Sequence, residues 1–231
     1  MNKLADVLKR FNRKERNLLV RAVLGDEQKP LLLSDQFRKD VANKLRIEIQ
    51  PDAWWATDYH INWLAGALAY YAESDACLNR ARRNSVSSEP PPSGQMIEQN
   101  QEDVDLIIVS DNDLILIEAK AYGYFDNPQL ESKLERLNLV RNEYLCITKQ
   151  NPVVQMHFLL ISPTEPRKIK VTWPEWIRKK SEIPWIPLHL PSGEPILKVN
   201  RCDADANELA EGDHWRIVKY RARQPTNPQA D

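Results

Sequence analysis

The most informative pattern in the chain is a pair of short apolar runs separated by a polar tetrapeptide. Residues 104–109 and 114–119 are too short for helices and are rich in Ile, Leu and Val, which favours β-strands. Between them, Asp111 and Asn112 are residue types that tolerate the positive φ values of a two-residue hairpin turn. The sequence therefore predicts a β-hairpin here.

The hairpin turn predicts which polar side chains meet. If Ser110 pairs with Asp113, then counting outward places Asp105 opposite Glu118. Side chains that lie directly opposite are about 5 Å apart. Lys120 is two residues beyond Glu118 and therefore projects from the same face. The pattern predicts two carboxylates and one amine at one place.

Both faces of the predicted hairpin are apolar, as in a sheet that is covered on both sides. Two facing carboxylates in such a sheet repel each other, and burial penalises both charges. A divalent metal would neutralise them, and hard oxygen ligands suit Mg²⁺ or Mn²⁺. The alternative is that these charges are solvated at the strand ends, as charged pairs often are. The expected faces are Ile107, Val109, Leu114 and Leu116 on one side and Leu106, Ile108, Ile115 and Ile117 on the other.

Before the hairpin, helical spacing of apolar residues dominates. The first 50 residues are predicted to be a helical N-terminal lobe, in which Ser34 is a candidate N-cap. Thr57 is the candidate N-cap of a long apolar helix over residues 58–79. Residues 84–103 contain three consecutive prolines and are predicted to be a flexible loop.

After the hairpin, the pattern changes from helix to strand. Asn127 is the candidate N-cap of a helix with Pro128 at its first position. A strand is predicted over residues 153–162, and a short helix around Trp173 and Trp176. Two further strands are predicted over residues 196–199 and 214–220, so that one domain covers residues 51–223, with a disordered tail over residues 224–231.

Composition narrows the functional classes. The net charge is −1, which disfavours a strong non-specific DNA binder but leaves room for local basic clusters such as residues 9–16 and 80–83. Three widely spaced cysteines predict reduced thiols and a cytoplasmic protein, and no segment reaches the ~20 apolar residues of a membrane span. Nucleotide-binding P-loop, zinc-protease and serine-hydrolase motifs are missing from the sequence.

The residues Asp105 and Glu118-Ala119-Lys120, at the end of a hydrophobic strand, resemble the core motif of the PD-(D/E)XK phosphodiesterases, the restriction-endonuclease-like superfamily. The resemblance covers about residues 58–162, in the order helix, hairpin, helix, strand. It implies an α/β (α+β) fold with an αβββαβ core, in which a mixed central sheet is flanked by helices. One of its strands is poorly defined in this sequence, and the usual Pro-Asp is relaxed to Val104-Asp105.

The resemblance also implies roles for these residues. Asp105 and Glu118 would bind Mg²⁺ or Mn²⁺, while Lys120 would orient the attacking water and stabilise charge on the phosphate. In this family, the helix after the motif often adds a Gln or Lys, for which Gln129 is preferred here over Lys133. The helix before the hairpin often adds an acid, for which Asp58 is preferred over Glu73 as a further metal ligand.

The sequence thus predicts a metal-dependent nuclease that hydrolyses phosphodiester bonds of DNA in restriction, defence or repair. Cleavage of both DNA strands would imply a homodimer, although the sequence shows no recognisable dimer interface. A catalytically silent domain of the same fold, which binds nucleic acid or protein, is the first alternative. An unrelated α+β domain with solvated hairpin charges is the second.

Overall fold

A computed structural model describes residues 4–84, 95–99, 102–122, 124–167, 169–177, 182–190 and 196–220. Most of the predicted loop 84–103 and the whole predicted tail 224–231 lie outside these ranges. The helices are α1 (Leu4–Phe11), α2 (Glu15–Val23), α3 (Asp35–Leu45), α4 (Ile61–Glu73) and α5 (Asn127–Ile147). The strands are β1 (Trp54–His60), β2 (Asp103–Ser110), β3 (Asp113–Ala119), β4 (Gln155–Ser162), β5 (Trp185–Pro187), β6 (Ile196–Cys202) and β7 (His214–Tyr220).

The centre of the fold is a five-stranded mixed sheet in the order β1-β2-β3-β4-β5. β1, β2 and β3 pair antiparallel, whereas β4 pairs parallel with both β3 and β5. The parallel step from β3 to β4 is made through α5, the crossover helix that such a connection requires. The predicted mixed α/β class is therefore confirmed, while β6 and β7 form a separate two-stranded sheet.

The predicted hairpin is confirmed in both position and register. Ser110 pairs with Asp113, and the ladder continues to Leu106 opposite Ile117. Asp111 adopts a φ of 50°, the left-handed conformation that Asp tolerates better than most residues. The turn residues identified in the sequence therefore set the pairing of the two central strands.

The two faces of the hairpin enter two separate hydrophobic cores, as alternation predicted. The first core contains Leu114 and Leu116, together with apolar residues of α1, α4 and α5. The second contains Ile115 and Ile117, together with Val41 of α3. Helices of the first 50 residues thus pack on both faces of the sheet, and among the described residues no helix is long and apolar enough to cross a membrane.

The predicted helix over residues 58–79 is wrong at both ends. Residues 54–60 form β1, which pairs with β2, and α4 begins only at Ile61 with His60 as its N-cap residue. The helical spacing of apolar residues does correspond to a helix from Ile61 to Glu73. The aromatic residues Trp54, Trp55 and Tyr59, which favour strands, carried the missed signal.

Smaller predictions also change. The N-cap of α5 is Asp126, whose side chain accepts from the backbone N–H of Gln129, rather than Asn127. Around Trp173 and Trp176 the described residues form irregular chain and a turn, not a helix. Ser34 caps α3 as predicted, by accepting from the N–H of Phe37.

Candidate active site

Glu118 is a carboxylate buried near the end of the central strand β3. Only 5% of the residue is exposed, and its partner in the parallel ladder is Leu160 of β4. Leu116 and Leu160, its neighbours along and across the sheet, belong to the first core. A charge in such surroundings is destabilising unless it is paired. The Lys133 Nζ of α5 donates to Glu118 Oε2 at 2.5 Å and is itself buried.

The electrostatic surroundings of Glu118 identify its other neighbours. Burial is the main cause that raises the pKa of the Glu118 carboxyl above its ordinary value. The charges of Lys133 and Lys120 lower this pKa, whereas the negative charge of Asp105 raises it further. The structure therefore brings Asp105, Glu118 and Lys120 together within electrostatic reach, and adds Lys133.

Asp105 lies where the hairpin opens. The last ladder pair is Leu106 with Ile117, so Asp105 and Glu118 are the next residues along the two strands. The Asp105 Oδ2 accepts from the backbone N–H of Ala119 at 2.7 Å. Its side chain thus replaces a ladder hydrogen bond and is held between β2 and β3, beside the residue that follows Glu118.

Lys120 follows β3 directly. Its backbone N–H donates to the carbonyl of Ile161 at 2.9 Å, which continues the pairing of β3 with β4 by one residue. The lysine is half-buried. Its backbone is therefore fixed by the sheet one residue beyond the end of β3, and its positive charge acts on the Glu118 carboxyl.

Asp58 lies opposite Asp105 on the neighbouring strand β1, whereas the sequence predicted it at the start of a helix. The ladder pairs Thr57 with Leu106 and Tyr59 with Val104, so Asp58 falls between them, opposite Asp105. It lies in a strand rather than in the first turn of a helix, with a φ of 51°.

The alternation of side chains along β1 is interrupted between Trp55 and Tyr59. These two residues would share a face of a regular strand, but Trp55 packs with the second core and Tyr59 with the first. Among the described residues, no three Asp, Glu, His or Cys side chains are grouped to hold a metal ion, so Asp58 does not complete a three-residue group with Asp105 and Glu118.

The helix after the hairpin contributes Lys133, whereas Gln129 is exposed. The sequence predicts Gln129 and Lys133 on one face of the helix, with Gln129 as the expected site residue. A signal for Lys133 was present, because Leu130 and Leu137 lie three residues before it and four after it. A lysine within a buried leucine stripe needs a buried anion, and Glu118 is that anion.

Glu73, the alternative acidic candidate, is at the far end of α4. It pairs with Arg82 and Arg80. Twelve residues of helix separate it from Ile61, which corresponds to about 18 Å of rise. It therefore lies away from the end of the sheet where Glu118 and Asp105 meet.

The two carboxylates, Asp105 and Glu118, are compatible with a divalent cation that is bound largely through water and phosphate. One Asp105 oxygen accepts from Ala119 and one Glu118 oxygen accepts from Lys133, which leaves a second oxygen on each carboxylate. Mg²⁺ is commonly held by one or two carboxylates, with its other ligands supplied by water and substrate phosphates. Such a cation would relieve both the burial of the Glu118 charge, which is the main cause of its raised pKa, and the smaller repulsion from Asp105.

Beside these residues lies a second charged group at the start of β2. Asp103 accepts from Lys14 Nζ at 2.5 Å and contacts His60 Nδ1. His60 is buried, and its ring packs against Trp63. This group ties the connection between α1 and α2 to the strand that carries Asp105.

No protein-family model, curated protein or solved structure matches this chain. The candidate site therefore rests on contacts, burial and charge within the molecule. Its central feature is a nearly inaccessible Glu118 held by Lys133, with Asp105 and Lys120 beside it at the end of the two central strands.

Proposed function

We propose that this protein is a metal-dependent nuclease that hydrolyses phosphodiester bonds of DNA. The observation that carries the proposal is the buried Glu118, which has a second carboxylate and two lysines around it at the end of a central strand. The like charges of Asp105 and Glu118 raise the free energy of the folded state, and a neutral acceptor could take the hydrogen bond from Ala119 without this repulsion. Such arrangements are characteristic of functional sites.

The topology supports a restriction-endonuclease-like core as part of this proposal. Strands β1, β2 and β3 form an antiparallel meander, and α5 then leads to the parallel strand β4. That order agrees with the βββαβ part of the expected αβββαβ core. The departure is α4, which is inserted between β1 and β2.

In the proposed reaction each residue has a distinct task. The second carboxylate oxygens of Asp105 and Glu118 would hold Mg²⁺ or Mn²⁺, whose chemistry is to lower the pKa of water and to neutralise phosphate oxygens. Lys120 would position the attacking water and stabilise charge that develops on the phosphate. Lys133 holds the Glu118 carboxylate in one orientation, and its charge offsets part of the rise in the Glu118 pKa that burial causes.

Cleavage of plasmid and single-stranded DNA in the presence of Mg²⁺ or Mn²⁺ tests the proposal. We expect Glu118→Gln and Lys120→Met each to lower the cleavage rate by at least about 100-fold, as expected for loss of a general catalytic group. A suitable control is Asp113→Asn, which changes an acid at the opposite end of the same strand, where it pairs with His157 at 2.7 Å. Full cleavage by both site variants would refute the assignment.

A catalytically silent binding domain is the second candidate, and one observation favours it. Lys133 already neutralises Glu118, so the pair is complete without a metal ion. Calorimetric titration with Mn²⁺ separates the two functions. A silent domain would show neither Mn²⁺ binding nor cleavage, whereas a nuclease would bind Mn²⁺ in the wild-type protein and lose that binding in Glu118→Gln.

A further inference from the structure

The connection between α1 and α2 is strongly basic and lies next to the candidate site. Residues 9–16 contain five cations, Lys9, Arg10, Arg13, Lys14 and Arg16, and a single acid, Glu15. This concentration contrasts with a net charge of −1 for the whole chain. A local cationic strip in a near-neutral protein is the distribution that a nucleic-acid enzyme needs, because affinity for the phosphate backbone depends on local cations.

Three of these five cations already have partners within the described residues. Lys9 pairs with Asp6, and Lys14 pairs with Asp103. Arg10 lies over the ring of Tyr70, with its guanidinium 4.6 Å from the ring centroid. These contacts also fix the segment, because α1 is packed in the first core through Leu4, Val7 and Leu8.

Arg13 and Arg16 are different. Both are exposed, and neither forms an ion pair with any residue that the structure describes. The Arg13 guanidinium carbon lies 5.7 Å from the centroid of the Trp63 ring. This cation–π contact does not neutralise the charge of Arg13. Arg16 follows the start of α2 at Glu15. Their charges therefore remain available for an anion from outside the molecule.

Arg13 is close to the candidate site and on its side of the sheet, and Arg16 follows three residues later at the start of α2. Lys14, next to Arg13, contacts Asp103, which is two residues before Asp105 on β2. Two residues of strand span about 7 Å. The helix α1 packs in the first core, and Leu116 and Leu160 around Glu118 belong to that core as well. A strand of nucleic acid with one phosphate at Asp105 and Glu118 would reach this segment within one or two nucleotides.

We infer that Arg13 and Arg16 bind the phosphodiester backbone of a nucleic acid on the β1 side of the candidate site. This inference rests on the proposed function for its substrate, but it concerns binding and is measured without cleavage. The ligand chemistry is the repeating phosphate charge rather than a particular base, because both side chains lie at the surface as cations. The binding should therefore be sensitive to salt and tolerant of sequence.

The test uses the full chain carrying Lys120→Met, so that cleavage cannot interfere with binding. Fluorescence anisotropy with a labelled single-stranded or duplex oligonucleotide is measured over a series of salt concentrations. Adding Arg13→Ala and Arg16→Ala should weaken binding by about 10-fold or more at low salt, since two phosphate contacts are lost. Each lost contact should also make the slope of log K against log salt less steep by roughly 0.7–0.9. Arg13→Lys with Arg16→Lys should restore most of the slope.

A control pair removes two exposed lysines elsewhere, Lys29 and Lys39; the second is on α3, which packs on the opposite face of the sheet. Lys29→Ala with Lys39→Ala should leave affinity and slope close to those of the parent. Equal loss in both pairs, or unchanged binding in the arginine pair, would overturn the inference. If the wild-type chain does not cleave while the arginine pair alone loses binding, the nuclease proposal fails and this inference holds.

Discussion

At the scale of single residues, Glu118 is a buried acid whose titration we expect to couple folding to pH. Its pKa is raised in the folded state, mainly by burial. Near that pKa the folded protein binds more protons than the unfolded chain, so the stability from protonated Glu118 is present below the pKa of the unfolded carboxyl. That stability is lost as the pH rises through the raised pKa.

Urea denaturation at several pH values measures this effect. The free energy of unfolding of the wild-type protein should fall over that window relative to Glu118→Gln, which cannot titrate at this position. Parallel curves for the two proteins from about pH 4 to pH 8 would contradict the raised pKa. If Glu118 binds Mn²⁺ as proposed, the Mn²⁺ affinity should decline as the pH falls into this window, since protonated Glu118 is a poor ligand.

The buried pair of Glu118 and Lys133 leads to a second prediction. Removing one partner leaves an uncompensated buried charge, so Lys133→Met alone should destabilise the fold by about 3–5 kcal/mol. Replacing both, as Glu118→Leu with Lys133→Met, should restore stability to near or above that of the wild type, because well-packed apolar residues often substitute for a buried ion pair. Thermal and urea unfolding of the three proteins provides the measurement.

A double variant that remained as unstable as Lys133→Met would show that the pair stabilises the fold more than apolar packing can. If the double variant is stable but loses DNA cleavage, then Glu118 and Lys133 are retained for chemistry and not for folding. Asp113→Asn is again a useful comparison, since its partner His157 is only partly buried.

At the scale of elements, the β2–β3 hairpin places two of the candidate residues. Its turn residue Asp111 has a φ of 50°, a conformation that costs an ordinary L-residue roughly 1–2 kcal/mol. Asp111→Val should therefore destabilise the protein by about that amount, whereas Asp111→Gly should be neutral or stabilising by up to about 1 kcal/mol. Chemical denaturation of both variants measures the difference.

Asn112 provides the matched control for the hairpin turn. It is exposed, as Asp111 is, but it is not among the described residues with positive φ. Asn112→Gly should thus gain nothing from glycine's freedom and lose about 0.5–1 kcal/mol through backbone entropy. Equal effects of glycine at both positions would indicate that Asp111 is not strained.

The helix α5 contributes both to the first core and to the candidate site. Its leucine stripe enters the first core, and Lys133 extends from that stripe to Glu118. Three residues later, Arg136 is also buried and donates to Glu102 and Asn62. The helix therefore anchors both the end of β3 and the segment that leads into β2.

At the scale of the whole molecule, stability should be uneven. The strands β2 and β3 have paired neighbours on both sides and are covered on both faces, whereas β6 and β7 pair only with each other among the described strands. Trp215 on β7 is 68% exposed. Two-stranded sheets of this kind are marginally stable by themselves.

Native-state hydrogen exchange should reveal that difference. Backbone amides of β2 and β3 should exchange only through global unfolding, whereas amides of β6 and β7 should exchange through a smaller opening of lower free energy. Protection of β7 equal to that of β3 would mean that the two-stranded sheet is stabilised as firmly as the central one.

The alternation of apolar residues and the turn type determined the central hairpin from sequence alone. Strand periodicity is local, and Asp111-Asn112 sets the register, so the approach of Asp105 to Glu118 could be calculated by counting. Capping by Ser34 and the helical spacing after Ile61 were equally local signals.

Only the tertiary structure decided between the helical spacing around Asp58 and the strand-favouring aromatic residues of β1. Trp54–His60 is a strand because it pairs with β2, some fifty residues away, and this long-range pairing replaced the helix that local spacing favoured at Asp58. The choice of Lys133 over Gln129 likewise depended on which turn of α5 lies over Glu118. Periodicity determines which residues share a face, but only packing determines what that face meets.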